Sequence, residues 1–222
     1  MDRDNPSRLT VTRLQERTEA LGPGLRAVVW FHGCALRCPG CIAKEMNESK
    51  ENSSWCPDQL ARWLLSLPEI EGVTLSGGDP FDQSPVALQQ LLERIRADGR
   101  LSILCYTGRT LEQLERALPH PLRQSILDCL DVLIDGPYIE ALNDGGIWRG
   151  SSNQKIHFLS PRYRHLEASV STSTERRLEA RIGASGSLEL TGIPPRGFME
   201  ALHTRLSESG LQLEFDTSPP NL

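Results

Sequence analysis

The chain has 222 residues and a net charge of −5, and this charge gives no reason to expect a nucleic acid or an anionic membrane as partner. Its 38% hydrophobic and 24% charged residues are typical of a folded, water-soluble protein, long enough for one domain with an appendage or for two small domains. The polar N-terminus has no signal-peptide pattern and no stretch is apolar enough to span a bilayer, so we expect a cytoplasmic protein with no membrane partner.

Apolar runs alternate with amphipathic stretches along most of the chain. The runs predict strands at residues 25–31, 72–76, 101–106, 130–134 and 155–159, and the stretches predict helices at residues 57–67, 85–96 and 110–118. Thr110 and Gln113 have the spacing of a capping box, and Pro119 and Pro121 end that helix. This alternation predicts an α/β fold with a parallel sheet, and there are too few units for a closed eight-stranded barrel. We therefore expect a partial barrel or a curved sheet, with the loops at the carboxyl ends of the strands close together.

The composition changes after Pro161. Residues 168–174 are polar and predict a linker or an exposed loop, and residues 177–182 and 187–191 alternate like the strands of a hairpin. A helix at residues 195–209 and a strand at residues 211–215 complete a small β-β-α-β appendage. We therefore predict two units, a domain at residues 1–165 and an α+β appendage at residues 166–222.

Three cysteines, Cys34, Cys38 and Cys41, lie in one short loop after the first predicted strand, with the spacing C-x3-C-x2-C. Three thiolates leave one iron of a four-iron cluster open to a further ligand. The alternatives are unrelated thiols or a structural zinc site, for which only His32 and Cys56 are near enough to be the fourth ligand, and neither has finger-like spacing.

The chain has six cysteines, and the other three are predicted to lie outside the metal site. Cys105 and Cys129 lie in apolar runs and are predicted to be buried core thiols. Cys56 precedes a predicted helix start, and we interpret it as a bystander, although the sequence does not say whether it approaches the loop. A reducing compartment and the tight clustering of three thiols argue against disulfides.

A second motif, formed by Gly77, Gly78, Asp79 and Pro80, directly follows a predicted strand. Glycines before Asp-Pro usually form a tight turn. The functional interpretation is that the glycines let the backbone approach a ligand, with strand-end carbonyls and Asp79 accepting hydrogen bonds from an ammonium group. Together with the cysteine loop, the functional interpretation is favoured.

These motifs together resemble the radical S-adenosylmethionine superfamily, and further stretches resemble its glycyl-radical-enzyme activases, in particular the activase of anaerobic ribonucleotide reductase. The similar stretches cover about residues 9–159 and comprise Gly-Pro-Gly-Leu-Arg at 22–26, Cys-Pro-Gly-Cys at 38–41, Ser-Gly-Gly-Asp-Pro at 76–80, Asp-Gly-Pro-Tyr at 135–138 and Arg-Gly-Ser-Ser-Asn-Gln at 149–154. The resemblance implies a radical SAM partial barrel.

The resemblance also implies the cofactors and the chemistry. The three cysteines would hold a [4Fe-4S] cluster, and S-adenosylmethionine would bind the fourth iron through its amino and carboxylate groups. One electron from a donor such as flavodoxin or ferredoxin would cleave S-adenosylmethionine to methionine and a 5′-deoxyadenosyl radical. That radical would abstract hydrogen, in an activase from a glycine of a partner glycyl-radical enzyme similar to class III ribonucleotide reductase.

The resemblance assigns the remaining site residues less directly. Gly77, Gly78, Asp79 and Pro80 match the motif that meets the methionine amino group, and Tyr106 and Thr107 are candidates to line the site. Asp135 is either a neighbour of the site or a turn residue. Residues 149–154 are either an ordinary loop or a contact to cofactor or partner, and we expect the adjacent Trp148 to be packed.

The sequence departs from the superfamily pattern before the third cysteine, where Gly40 replaces an aromatic residue, so that any stacking on adenine has to come from elsewhere. The polar stretch 44–54 predicts a mobile loop near the site.

Two other functions remain open from the sequence. One is a radical enzyme that uses this scaffold on a peptide or small molecule, with the appendage as a clamp. The other is an iron–sulfur or zinc protein without catalytic activity.

Overall fold

A seven-stranded mixed β-sheet forms the centre of the protein in the computed structural model, which describes residues 8–49, 52–184 and 186–211. Its strands are β1 (Leu9–Thr18), β2 (Arg26–Phe31), β3 (Ser53–Trp55), β4 (Gly72–Gly77), β5 (Ser102–Tyr106), β6 (Val132–Asp135) and β7 (Lys155–Phe158). They lie in the order β3-β1-β2-β4-β5-β6-β7. Strands β2, β4, β5 and β6 are parallel, whereas β1, β3 and β7 are antiparallel to their neighbours. The predicted α/β class is confirmed, and the predicted parallel arrangement holds for the central strands.

The helices are α1 (Glu45–Glu48), α2 (Pro57–Ser66), α3 (Pro85–Asp98), α4 (Leu111–Ala117), α5 (His120–Asp128), α6 (Glu167–Thr172) and α7 (Phe198–Glu208). Helices α2 to α5 lie between the parallel strands in the chain and cover one face of the sheet. The apolar stripe of α3, which includes Leu88, Leu91 and Ile95, is fully buried, as its spacing predicts. It belongs to the main core, together with the strand residues Val29 and Leu75. Each such side chain stabilises the fold by about 1.5–3 kcal/mol on burial.

The start of α4 confirms one local prediction, and the start of α5 corrects another. The Thr110 hydroxyl accepts a hydrogen bond from the Gln113 N–H at 3.3 Å, and the Gln113 side chain accepts one from the Thr110 N–H at 2.9 Å. The prolines that end α4 also begin α5, which the sequence analysis did not predict. Proline suits the first turn of a helix because the N–H groups there have no intrahelical partner.

Other predictions fail where tertiary contacts outweigh local polarity. Strand β1 was not predicted, and the stretch 44–54, expected to be a mobile loop, forms α1 and β3 apart from the undescribed residues 50–51. The stretch 168–174, expected to be a linker or an exposed loop, is helical as far as Thr172. Val170 anchors that helix by burial, and Ser171 and Thr172 donate hydrogen bonds to the Ala168 carbonyl.

Residues near the C-terminus form the hairpin β8 (Leu178–Ile182) and β9 (Leu188–Gly192), close to the predicted positions. Helix α7 confirms the prediction at 195–209 to within a few residues, whereas the strand predicted at 211–215 lies outside the described residues except for Leu211. The hairpin contacts β1, because the Thr191 hydroxyl donates to the Gln15 side-chain oxygen at 2.9 Å. Among the described residues, no helix combines the length and apolar character needed to cross a membrane.

The face of the sheet away from the main core is here named the second face. Its apolar residues alternate with those of the core and include Val28, Trp30, Leu104, Tyr106 and Ile134. Met46, Tyr163 and Ile193 are among the residues that pack against them.

The Gly-Pro-Gly-Leu-Arg stretch ties the sheet together at the amino ends of its parallel strands. Arg26 is fully buried and donates hydrogen bonds to the Thr74 and Ser102 hydroxyls, both at 2.8 Å, and to the Val73 carbonyl at 2.6 Å. Gly72 leaves room for this guanidinium, because a methyl group placed on Gly72 would lie 2.6 Å from Arg26 Nη1. This motif therefore stabilises the amino ends of the parallel strands, whereas the cysteine loop lies at their carboxyl ends.

Candidate functional site

The cysteine loop, residues 32–44, directly follows β2 and carries three free, half-buried thiols. The Cys41 N–H donates to the Cys38 carbonyl at 3.2 Å, and Gly40 between them has φ of +73°, a conformation that favours glycine. Glycine therefore suits this position before the third cysteine. Cys105 and Cys129 are buried, as predicted, and Cys56 lies at the start of α2 without a side-chain capping bond.

The electrostatics of the thiols favour a bound metal group. Burial raises the pKa of the Cys34 and Cys41 thiols above their ordinary value. The neighbouring thiols Cys38 and Cys34 raise the pKa of Cys41 further. Three thiolates in one partly buried loop are therefore unfavourable without a cation, and soft thiolate donors suit iron–sulfur clusters or zinc. The three-thiol donor set fits a [4Fe-4S] cluster with one open iron.

The loop of residues 77–80 follows β4 and is bonded to the cysteine loop through the backbone. The Gly78 N–H donates to the Phe31 carbonyl at 2.8 Å, and the Asp79 N–H donates to the Gly33 carbonyl at 2.9 Å. Gly77 has φ of +91°, and a methyl group on Gly78 would lie 2.6 Å from the Gly33 carbonyl carbon. The two glycines thus allow close contact between two loops of the protein.

Asp79 connects the same loop to the end of β5. Its carboxylate accepts hydrogen bonds from the Thr107 hydroxyl at 3.0 Å and from the N–H groups of Phe81 at 2.9 Å and Gly108 at 3.1 Å. Burial raises its pKa, although these hydrogen bonds and Arg109 oppose that effect. Only 2% of Asp79 is exposed, and its carboxylate is engaged by these partners within the protein. Pro80, also buried, begins the short 3-10 turn that follows.

Two residues that the sequence analysis missed, Asp82 and Arg109, complete this junction. Asp82 accepts a hydrogen bond from the Ala35 N–H, next to Cys34, at 2.7 Å. Arg109 pairs with Asp79 at 3.2 Å and also with Asp82. Oxygen atoms of both carboxylates lie within 4.8 Å of the Cys34 sulfur. Because Arg109 binds both carboxylates, we interpret them as supports of the loop and not as metal ligands.

Tyr106 and Thr107 lie at the same edge of the sheet, beside the ends of β2 and β4. The Thr107 N–H donates to the Ile134 carbonyl at 2.9 Å, so this residue links neighbouring strands. The Tyr106 hydroxyl and the Trp30 indole nitrogen are buried without a hydrogen-bond partner among the described residues. Burial raises the pKa of Tyr106 far above its ordinary value. Buried polar atoms without partners mark a place where a polar ligand fits, as S-adenosylmethionine would.

Asp135 lies at the end of β6 and has partners of its own. Its carboxylate accepts a hydrogen bond from the Leu111 N–H at 2.7 Å and lies 3.1 Å from His157 Nε2. Burial by itself would raise the pKa of Asp135, but the interactions with His157 and the Leu111 N–H outweigh burial and lower the pKa. This environment agrees with the prediction of a turn residue.

The loop of residues 149–154 makes side-chain contacts to the loop of residues 136–139. The Gln154 amide donates to the Gly136 carbonyl at 2.9 Å, and the Asn153 amide donates to the Pro137 carbonyl at 2.7 Å. The Ile139 N–H donates to the Ser151 hydroxyl at 3.1 Å. Of the two interpretations of this stretch, these contacts support the structural one. Trp148 is packed against the second face, as expected.

Comparison with known proteins places these motifs in one family. A family model described as a 4Fe-4S single cluster domain matches residues 20–157. An anaerobic ribonucleoside-triphosphate reductase-activating protein of Escherichia coli K12 is 36% identical over 146 residues, covering 62% of this chain and 91% of that protein. The protein of the same name from Enterobacteria phage T4 is 30% identical over 139 residues, covering 61% of this chain and 85% of that protein.

A shorter similarity extends to a second kind of activating enzyme. A pyruvate formate-lyase-activating enzyme of Staphylococcus epidermidis is 37% identical over 84 residues, covering 35% of this chain and 33% of that protein. The family model ends at residue 157, so the hairpin and α7 lie outside its match. This chain belongs to the family of radical S-adenosylmethionine activases, enzymes that use a [4Fe-4S] cluster together with S-adenosylmethionine.

Proposed function

We propose that this protein places a radical on a glycine of a partner enzyme that resembles anaerobic ribonucleotide reductase. The observation that carries the proposal is the junction between the cysteine loop and the loop of residues 77–80, where the Gly33 carbonyl accepts the Asp79 N–H at 2.9 Å. This junction holds the loop that carries the three cysteines against the loop that follows β4. The similarity to activating proteins, which covers 91% of the Escherichia coli protein, supports the choice of partner.

In this proposal Cys34, Cys38 and Cys41 hold the [4Fe-4S] cluster. The bound cluster would supply one electron, received from a donor such as flavodoxin or ferredoxin, for cleavage of S-adenosylmethionine to methionine and a 5′-deoxyadenosyl radical, and this radical would take the hydrogen atom from the glycine Cα.

The loop of residues 77–80 and the end of β5 orient the second cofactor. The backbone carbonyls at the end of β4, in the Gly77–Gly78 stretch, would accept hydrogen bonds from its amino group. Asp79 acts indirectly, because its carboxylate holds this loop against Thr107 at 3.0 Å. Tyr106 offers a buried hydroxyl to a polar group bound at the second face.

We also propose a partial barrel at residues 1–165 and an appendage at residues 166–222. The strand order, with four parallel strands at the centre, supports the first part of this proposal. The separate two-stranded sheet supports the second. The free thiols favour a reducing compartment such as the cytoplasm.

The function is tested with anaerobically reconstituted protein. After reduction with dithionite in the presence of S-adenosylmethionine, we expect 5′-deoxyadenosine in the product mixture. Addition of a purified anaerobic ribonucleotide reductase should then produce a glycyl radical signal in electron paramagnetic resonance. If no 5′-deoxyadenosine forms, while iron and sulfide are present in stoichiometric amounts, the assignment as a radical enzyme is wrong.

A second candidate function is the modification of a peptide or small molecule by the same radical chemistry. The observation that favours it is the segment after residue 157, which lies outside the match to the family model. This candidate predicts 5′-deoxyadenosine without a glycyl radical on any ribonucleotide reductase tested. The electron paramagnetic resonance experiment therefore distinguishes the two functions.

A further inference from the structure

The segment of residues 173–194, here named the C-terminal strap, is bonded to a loop of the family domain. Arg176 makes most of these bonds. Its guanidinium donates to the carbonyls of Gly146 at 3.0 Å, Arg149 at 2.8 Å and Pro194 at 2.9 Å. The Gly150 carbonyl lies at 3.4 Å from the same group. One planar guanidinium thus joins both ends of the strap to the loop of residues 146–150.

Tyr138 lies between this loop and the cysteine loop. A methyl group placed on Gly150 would lie 2.8 Å from Tyr138 Cδ2, so that the backbone of Gly150 packs directly on the tyrosine ring. On its other side, Tyr138 lies near Gly40, where a methyl group would lie 3.1 Å from Glu140 Oε2 and 3.4 Å from Tyr138 Cε1. Gly40 lies between Cys38 and Cys41. Arg176, Gly150, Tyr138 and Gly40 therefore follow one another from the strap to a position beside the third cysteine.

The strap reaches the site by a second route at the second face. Ile193 packs against the cluster that includes Trp30, Met46 and Tyr106. The Met46 carbonyl accepts the Gly33 N–H at 3.3 Å, at the start of the cysteine loop. The start of the cysteine loop is therefore bonded to a member of the cluster on which the strap packs, although the strap lies outside the match to the family model.

We propose that Arg176 is a positioning residue, which holds the loop of residues 146–150 and, through Tyr138, fixes the cysteine loop in the geometry that binds S-adenosylmethionine. In this proposal the strap is part of the structure that holds the site in place. The part of this proposal that concerns S-adenosylmethionine rests on the proposed function, whereas the part that concerns the loop of residues 146–150 does not.

The experiment compares Arg176→Ala with Arg177→Ala in the full-length chain. Both variants remove one arginine from adjacent positions, but Arg177 makes an exposed ion pair with Glu19 at 2.5 Å. The first readout is amide hydrogen exchange of residues 146–154 without cofactors. We expect exchange to be about 10-fold faster in Arg176→Ala and unchanged in Arg177→Ala, because four carbonyl contacts lose a charged donor.

The second readout is the change that S-adenosylmethionine produces in the electron paramagnetic resonance spectrum of the reduced cluster. We expect Arg176→Ala to reach half of this spectral change at a concentration of S-adenosylmethionine that is about 10-fold higher than for the wild type. An effect of this size is typical when a residue that supports a metal site is removed. Arg176→Lys should be intermediate, because an ammonium group cannot reach the same set of carbonyls. It also serves as the test variant if Arg176→Ala does not fold.

Equal exchange rates in the two alanine variants would refute the role of Arg176. Faster exchange in Arg176→Ala with an unchanged response to S-adenosylmethionine would refute the coupling to the cysteine loop. If the wild-type protein gives no response to S-adenosylmethionine, the proposed function fails, while the exchange experiment still decides whether Arg176 holds the loop.

Discussion

Replacement of Gly78 by alanine should separate the two loops that form the site. A methyl group at this position would lie 2.6 Å from the Gly33 carbonyl carbon and 2.8 Å from the Gly33 nitrogen. These atoms belong to the backbone, so they cannot rotate away as a side chain would. Gly78 does not have a positive φ, and the effect is therefore one of space and not of backbone strain.

The size of the effect follows from these distances. The added methyl group would meet the Gly33 carbonyl oxygen first, so restoring an ordinary contact of 3.4 Å requires the loops to move apart by more than about 1 Å. The Gly78–Phe31 and Asp79–Gly33 hydrogen bonds, at 2.8 and 2.9 Å, would then lengthen or break. Overpacking costs about 1–3 kcal/mol and each lost hydrogen bond about 1 kcal/mol, so we expect the free energy of unfolding to fall by about 2–5 kcal/mol. A displacement of this size near the reacting groups typically costs about 100-fold in rate.

The matched control is Gly183→Ala in the hairpin turn. Gly183 also lacks a positive φ, but its added methyl group would meet chiefly the Ser187 hydroxyl, a side-chain group that can rotate. The assays are thermal unfolding of the metal-free protein, iron content after reconstitution, and the rate of 5′-deoxyadenosine formation. The steric argument would be refuted if Gly78→Ala matched Gly183→Ala in stability and retained a rate within about 3-fold of it.

Three further predictions concern the metal site, the buried arginine and pH. Cys38→Ala should lose bound iron and S-adenosylmethionine cleavage, whereas Cys56→Ala should keep both; full iron content and activity in Cys38→Ala would contradict the ligand assignment. Arg26→Met should lower the free energy of unfolding in urea by about 3 kcal/mol, because buried acceptors lose their donor while the volume is kept. A loss below about 1 kcal/mol would show that those acceptors find other partners. Because the pKa of Asp135 is lowered, its stabilisation is complete above the pKa of the unfolded chain and disappears as pH falls through the folded-state pKa. Asp135→Asn should therefore show a weaker loss of stability on acidification than the wild type, and parallel pH profiles would contradict this assignment.

The spacing of apolar residues and the capping residues in the sequence predicted those helices whose formation depends mainly on neighbouring residues in the chain. Helix α3 follows from its apolar spacing, and the start of α4 follows from Thr110 and Gln113. Strand β1 escaped prediction because its pairing with β2 is long-range, and α5 escaped because prolines both end and begin helices. The polar stretch at 168–174 was predicted to be a linker or an exposed loop but is helical as far as Thr172, because burial of Val170 outweighs the low helix propensity of its polar neighbours.

At the site, the sequence by itself determined the chemistry of the donors. Three thiols within one loop are already close in the chain, so the prediction that they share one metal group does not depend on the rest of the fold. The tertiary structure decided how that loop is held. Arg109 and Asp82 are 27 residues apart and meet because the loops after the adjacent strands β4 and β5 share one edge of the sheet. Arg176 meets Gly150 because the hairpin folds back onto β1. Contacts between distant segments depend on the packing of the whole chain, and for this reason the supports of the cysteine loop became visible only in the folded protein.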